Sequence, residues 1–79
     1  THELRLRIVS FIDKHQHINV NKIYNTLGLE QSITSQHLRI LRIANIVTHK
    51  RQGKQIFYSL NYDYINSIVG NISQFLSKI

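Results

Sequence analysis

The stretch Leu-Glu-Gln-Ser-Ile-Thr-Ser-Gln-His-Leu-Arg-Ile-Leu-Arg-Ile-Ala-Asn-Ile-Val-Thr-His-Lys-Arg-Gln-Gly-Lys-Gln-Ile-Phe-Tyr-Ser-Leu, residues 29–60, changes its hydrophobic period half-way along. In the first half Thr34, Leu38 and Leu41 recur at intervals of four and three, with Ala44 one step further, which is the spacing of one helix face. From Val47 onward, β-branched and aromatic residues alternate with polar ones. These patterns predict a helix over about 31–44, with Thr34, Leu38, Leu41 and Ala44 inward, followed by a hairpin of strands 47–51 and 55–60. Arg51-Gln52-Gly53-Lys54 supplies the tight turn, where Gly53 can take a positive φ.

The two halves carry complementary polar groups. Ser32, Gln36 and Arg39 fall opposite the apolar helix face, with Gln31 and Ser35 flanking at the N-terminal end. Gln bonds adenine bidentately, Ser donates or accepts, and Arg forks onto guanine or neutralises a phosphate. Ser, Thr and Gln at a helix start are also ordinary N-terminal residues. Around the turn cluster Lys50, Arg51 and Lys54, with Gln52 among them. Lysine also protects bare hairpin edges from aggregation. However, no acidic residue lies between Gln31 and Tyr62, and Arg39, Arg42, Lys50, Arg51 and Lys54 make up half of the 10 Lys and Arg. Three cations at one turn, beside a polar-fronted helix, point to a recognition helix followed by a phosphate-touching wing.

Upstream, Leu4, Ile8, Phe11 and Ile12 predict an amphipathic helix over 3–15, leaving Arg5 and Arg7 off the stripe and solvated. After the His15-Gln16-His17 loop, Asn19 is a good N-cap for a helix whose stripe is Val20, Ile23, Tyr24 and Leu27. Gly28 sits where a left-handed C-terminal residue is needed. Two short helices joined by a Gly-containing turn form a helix-turn-helix. The chain thus reads as mainly α with a small β-hairpin: one winged helix-turn-helix domain over residues 1–79.

Downstream, residues 61–79 read as one last helix with a full-length stripe of Tyr62, Ile65, Ile68, Val69, Ile72, Phe75, Leu76 and Ile79. A 79-residue chain buries only about 60% of its unfolded surface, so a lone monomer is marginally stable. The stripe is therefore the expected dimer interface, the other reading being that it folds back on its own domain. The net charge of +6 favours a polyanionic partner.

The run 29–47, followed by Lys-Arg-Gln-Gly-Lys-Gln-Ile-Phe-Tyr-Ser-Leu over 50–60, closely resembles the ArsR/SmtB family of bacterial transcriptional repressors. Arg5-Leu6-Arg7-Ile8 resembles the Arg-Leu-x-Ile that opens the family's core domain. The resemblance implies a homodimer that binds a palindromic operator in double-stranded DNA and leaves it when an inducer arrives. It implies base or phosphate contact from Gln31, Ser32, Ser35, Gln36, His37 and Arg39, and from Lys50, Arg51, Gln52 and Lys54 in the wing. It also implies pairing through a last helix and through a first helix that would precede Thr1.

The family's metal sites do not match. One type needs Cys-x-Cys, and the chain has no Cys. Another uses an Asp and a His at the start of the last helix, where the corresponding positions are Tyr62 and Tyr64, and further ligands near its end, here Phe75 and Lys78. His15 and His17, one residue apart, offer two ligands where a structural zinc site takes four. The expectation is no metal, no cofactor and no enzyme, since no nucleophile and base are paired. No signal pattern or spanning apolar run is present, which suggests a cytoplasmic protein without membrane contact. Two other readings remain at this point: a winged-helix protein-interaction module and an RNA-binding winged helix.

Overall fold

The structure, a computed structural model, describes residues 2–70. Its order is α1 (His2–His15), β1 (Ile18–Asn19), α2 (Val20–Leu27), α3 (Gln31–Ile43), β2 (Val47–Gln52), β3 (Gln55–Leu60) and α4 (Tyr62–Val69). The three strands form an antiparallel sheet in the order β1-β3-β2. The hairpin register runs from Val47 opposite Leu60 to Gln52 opposite Gln55, which leaves a two-residue loop at Gly53 and Lys54. Gly53 takes φ +65°, as its place in the turn requires.

Strand β1 has no counterpart in the sequence reading. Ile18 pairs with Tyr58 and Asn19 with Phe57, so the segment before α2 covers the outer edge of β3. Two residues are too few to show a period of two. Their burial pattern, Ile18 inward and Asn19 half-exposed, becomes visible only once β3 lies beside them.

The core forms where the sheet's inner face meets the helices. Ile8, Val9 and Ile12 come from α1, Ile23 from α2, Leu38 and Leu41 from α3, and Val47, Tyr58 and Leu60 from the sheet. Burying each such side chain fully is worth about 1.5–3 kcal/mol. Leu4, Phe11, Val20, Leu27 and Leu29 pack around this centre. Arg7 is exposed and donates to the Leu27 carbonyl (3.2 Å), satisfying an acceptor at the end of α2. Arg5 departs from the solvated role expected of it. It is half-buried, because the turn of α1 that carries it lies against the body of the domain.

The helix ends follow local chemistry. Asn19 Oδ1 accepts from the Asn21 N–H (2.7 Å), and Gly28 closes α2 at φ +67° with its N–H on the Tyr24 carbonyl. Helix α3 stops at Ile43, one residue short of expectation, and Ala44 is exposed instead of packing inward. The cause is Asn45, whose φ of +65° breaks the helix and swings Ile46 into the core, with the Ile46 N–H on the Leu41 carbonyl (2.9 Å).

Helix α4 starts on Asn61, whose Oδ1 accepts from the Tyr64 N–H (3.3 Å). It runs to Val69, with Gly70 at φ +83°, and the remainder of the helix expected over 61–79 lies outside the described residues. Ile65 is completely buried in its own domain. Tyr62 is half-buried and packs on the same core. Its hydroxyl donates to Asp13 Oδ1 (2.6 Å) and accepts from Gln16 Nε2 (3.0 Å), tying α4 to the end of α1. Burial, and then the bond to the Asp13 carboxylate, push the Tyr62 hydroxyl up to about 12.

Candidate nucleic-acid interface

Helix α3 is held by its inner face. Thr34 is fully buried beside Leu38 and Leu41, and its hydroxyl donates to the Glu30 carbonyl (2.9 Å) one turn back. That anchoring turns Gln31, Ser32, Ser35, Gln36 and Arg39 outward, and all five are exposed. They form one polar ridge over the first turns of α3, the part a recognition helix presents to base edges.

His37 stands apart from that ridge. It is half-buried, and its Nδ1 is enclosed. Burial lowers its pKa, and the positive charge of Arg5 adds to the effect. The sequence pattern could not show this, because position 37 falls on the border between the inner and outer faces of α3.

The wing presents its cations on both faces of the hairpin. Side chains alternate across a strand, so Arg51 shares a face with His49 and Val47. Val47 is buried, and β2 packs against α3, so this is the face turned toward the helix. Lys50 and Gln52 lie on the opposite face, and Lys54 is in the turn itself. All four are exposed. The ring of His49 stacks on Tyr58 at 5.6 Å, which braces the strand between Val47 and the tip.

The dimer residues expected on the last helix divide. Ile65 faces inward, and Tyr62 is held by Asp13 and Gln16, whereas Ile68 is 53% and Tyr64 36% exposed. Val69 closes the helix, and Ile72, Phe75, Leu76 and Ile79 lie outside the described residues. Among the described residues, no three His, Cys, Asp or Glu side chains come together as metal ligands would. No described helix is long and apolar enough to cross a membrane. Sequence reasoning passed over the outward face of α2, with Lys22 and Asn25, because it looks like the ordinary polar side of an amphipathic helix.

The sequence profile of bacterial regulatory proteins of the arsR family matches residues 2–49, from α1 into the wing. The chain belongs to the ArsR family. The transcriptional repressor PagR of Bacillus anthracis is 40% identical over 68 residues, which cover 86% of this chain and 68% of PagR. Its crystal structure superimposes with a TM-score of 0.73, covering 86% of this chain and 77% of that one. The nodulation protein NolR of Rhizobium meliloti is 36% identical over 69 residues, 87% of this chain and 56% of NolR. The transcriptional regulator HlyU from Vibrio vulnificus CMCP6 gives a TM-score of 0.73 at 30% identity, covering 84% of this chain and 68% of that one. This chain thus spans between about half and two thirds of the curated relatives' length. As a winged-helix ArsR-family protein it is a DNA-binding transcriptional regulator and not an enzyme.

Proposed function

We propose that this ArsR-family chain is a repressor that works in the cytoplasm as a homodimer on a pseudo-palindromic duplex. The observation that carries the reading is the pairing of the exposed ridge Gln31, Ser32, Ser35, Gln36 and Arg39 on α3 with a wing bearing Lys50, Arg51 and Lys54. The ridge supplies groups that read base edges, and the wing supplies charges that neutralise phosphate. Repression is supported by the names of PagR and of SmtB from Mycobacterium tuberculosis, both described as transcriptional repressors. Dimerisation is supported by the exposed apolar side chain of Ile68, next to Tyr64, on the helix that the family resemblance assigns to pairing.

Selection of bound duplexes from a random pool tests this directly. An inverted repeat is the expected product. Recovery of a single, asymmetric site would remove the dimer from the reading, and recovery of no preferred sequence would remove the reading helix.

A further inference from the structure

Ile33, the third residue of α3, is 39% exposed, an apolar side chain in the first turn of a helix end that otherwise presents Gln31, Ser32, Ser35 and Gln36. We infer that Ile33 reads the C5-methyl group of a thymine in the major groove, and so fixes the identity and orientation of one base pair in the site. The inference rests on the DNA-binding reading above and adds to it a specificity-determining contact that the polar ridge does not supply.

Three observations carry it. The first is direction. Thr34, Leu38 and Leu41 are buried, so the line of Ser32, Gln36 and Arg39 points away from the body of the domain. At about 3.6 residues per turn, Gln31 and Ser35 flank that line on one side and Ile33 flanks it on the other. Ile33 thus stands on the rim of the ridge, one turn before Gln36. The second is the lack of cover. Among the described residues, the hydrophobic core takes in Leu29 and Leu38, on either side of Ile33 in the chain, but not Ile33 itself. The third is depth. The exposed Ile40 and Ile43 belong to the last turns of α3, whereas the N-terminal residues of a recognition helix are the ones that reach base edges.

The chemistry of the groove names the ligand. Adenine, guanine and cytosine present nitrogen and oxygen donors and acceptors at this edge, and the apolar group there is the thymine methyl. An isoleucine set against the polar atoms strips them of water and returns no hydrogen bond. Set against the methyl, it removes apolar surface of both partners from water. The β-branched side chain holds one strongly preferred χ1 rotamer in a helix, so little freedom is lost on contact. Residues one turn apart stand about 5–6 Å apart at Cβ, and base pairs follow one another at about 3.4 Å. The thymine therefore lies within about two base pairs of the base that Gln36 meets.

The test uses the whole chain and fluorescence anisotropy on a duplex recovered by selection, with each thymine replaced singly by deoxyuridine, which lacks only the methyl. At one position the replacement should weaken the wild type about fourfold, the equivalent of the roughly 0.8 kcal/mol gained by burying one such carbon. Ile33→Ala should bind the thymine and deoxyuridine duplexes equally. Arg51→Ala, weaker on both, should keep the fourfold difference. With a C·G pair at that position, the wild type should prefer 5-methylcytosine to cytosine, and Ile33→Ala should not distinguish them. Ile33 is exposed and Ala is the better helix former, so the variant should unfold in urea at no lower a midpoint than the wild type.

A wild type indifferent to the methyl of every thymine in the selected duplex would overturn the inference and leave the polar ridge and the wing intact. An Ile33→Ala variant that keeps the fourfold preference would overturn it too, because another residue would then hold the methyl. Wild-type binding that does not distinguish the selected duplex from a scrambled one would bring down both this inference and the reading on which it rests.

Discussion

Asn61 donates its side-chain N–H to Oδ1 of Asn45 across 3.2 Å, joining the residue that caps α4 to the left-handed residue that ends α3. The backbone N–H of Asn61 also donates to the Ile46 carbonyl (2.8 Å). The recognition helix and the last helix are therefore fastened to each other at their nearest ends, on either side of the wing.

The Asn45–Asn61 link sets an order among substitutions. Asn45→Ala must hold a Cβ-bearing residue without a local polar side chain at φ +65°, which costs about 1–2 kcal/mol beyond the lost bond. Asn45→Gly loses the bond but not the backbone freedom, so it should be the milder change. Asn61→Ala should cost about 1 kcal/mol through loss of the α4 cap. Urea unfolding followed by circular dichroism measures each. Equal midpoints for Asn45→Ala and Asn45→Gly would mean that the left-handed turn is not what holds the end of α3.

Tyr62 gives the fold an alkaline limit. Its hydroxyl is pushed up to about 12 from an ordinary 10.0, so the native state keeps this proton where the unfolded chain has lost it. The associated stability is whole below pH 10 and is lost as pH rises toward 12. Below that window Tyr62→Phe should be less stable than the wild type by on the order of 1 kcal/mol, for the lost hydrogen bond to Asp13. The gap should close as pH climbs through the window, because the variant has no such proton to lose. Paired urea titrations at successive pH values check this, and a gap that stays constant would show that Tyr62 titrates normally.

The two isoleucines of α4 should fail differently. Ile65→Ala removes buried methylenes and should cost about 2–5 kcal/mol, seen as a lowered melting temperature at any protein concentration. Ile68→Lys puts a charge on an exposed apolar position. It should leave the fold of the protomer intact and shift sedimentation toward monomer. A wild type that sediments as a monomer at high micromolar concentration would rule out pairing through this helix.

How much could be read from the sequence depended on whether the physical cause was local. Asn19, Gly28 and Gly53 were legible because caps and tight turns are decided by one or two residues and their own backbone. The outward ridge of α3 was legible because Thr34, Leu38 and Leu41 share one helix face and define its opposite. Ile65 was not, since an apolar stripe says that something covers it but not whether that is the same chain. The half-burial of Arg5 and His37 was not legible for a related reason. Both lie at the edge of a stripe, where burial is set by how α1 and α3 pack on the rest of the fold, and spacing within one helix carries no record of that. The early stop at Ile43 needed the backbone of Asn45, a residue type that tolerates positive φ without requiring it.

The division of labour between α3 and the wing is tested most directly by comparing Gln36→Ala with Arg51→Ala by anisotropy, on the selected and the scrambled duplex across a salt series. Gln36→Ala should cost about 1–3 kcal/mol on the selected duplex, relax its preference at particular base pairs, and hardly change binding to the scrambled one. Arg51→Ala should weaken both duplexes alike and reduce the salt slope by about one unit per protomer. Equal loss on both duplexes for Gln36→Ala, or no change on either for Arg51→Ala, would contradict the assignment of α3 as the reader and the wing as the anchor.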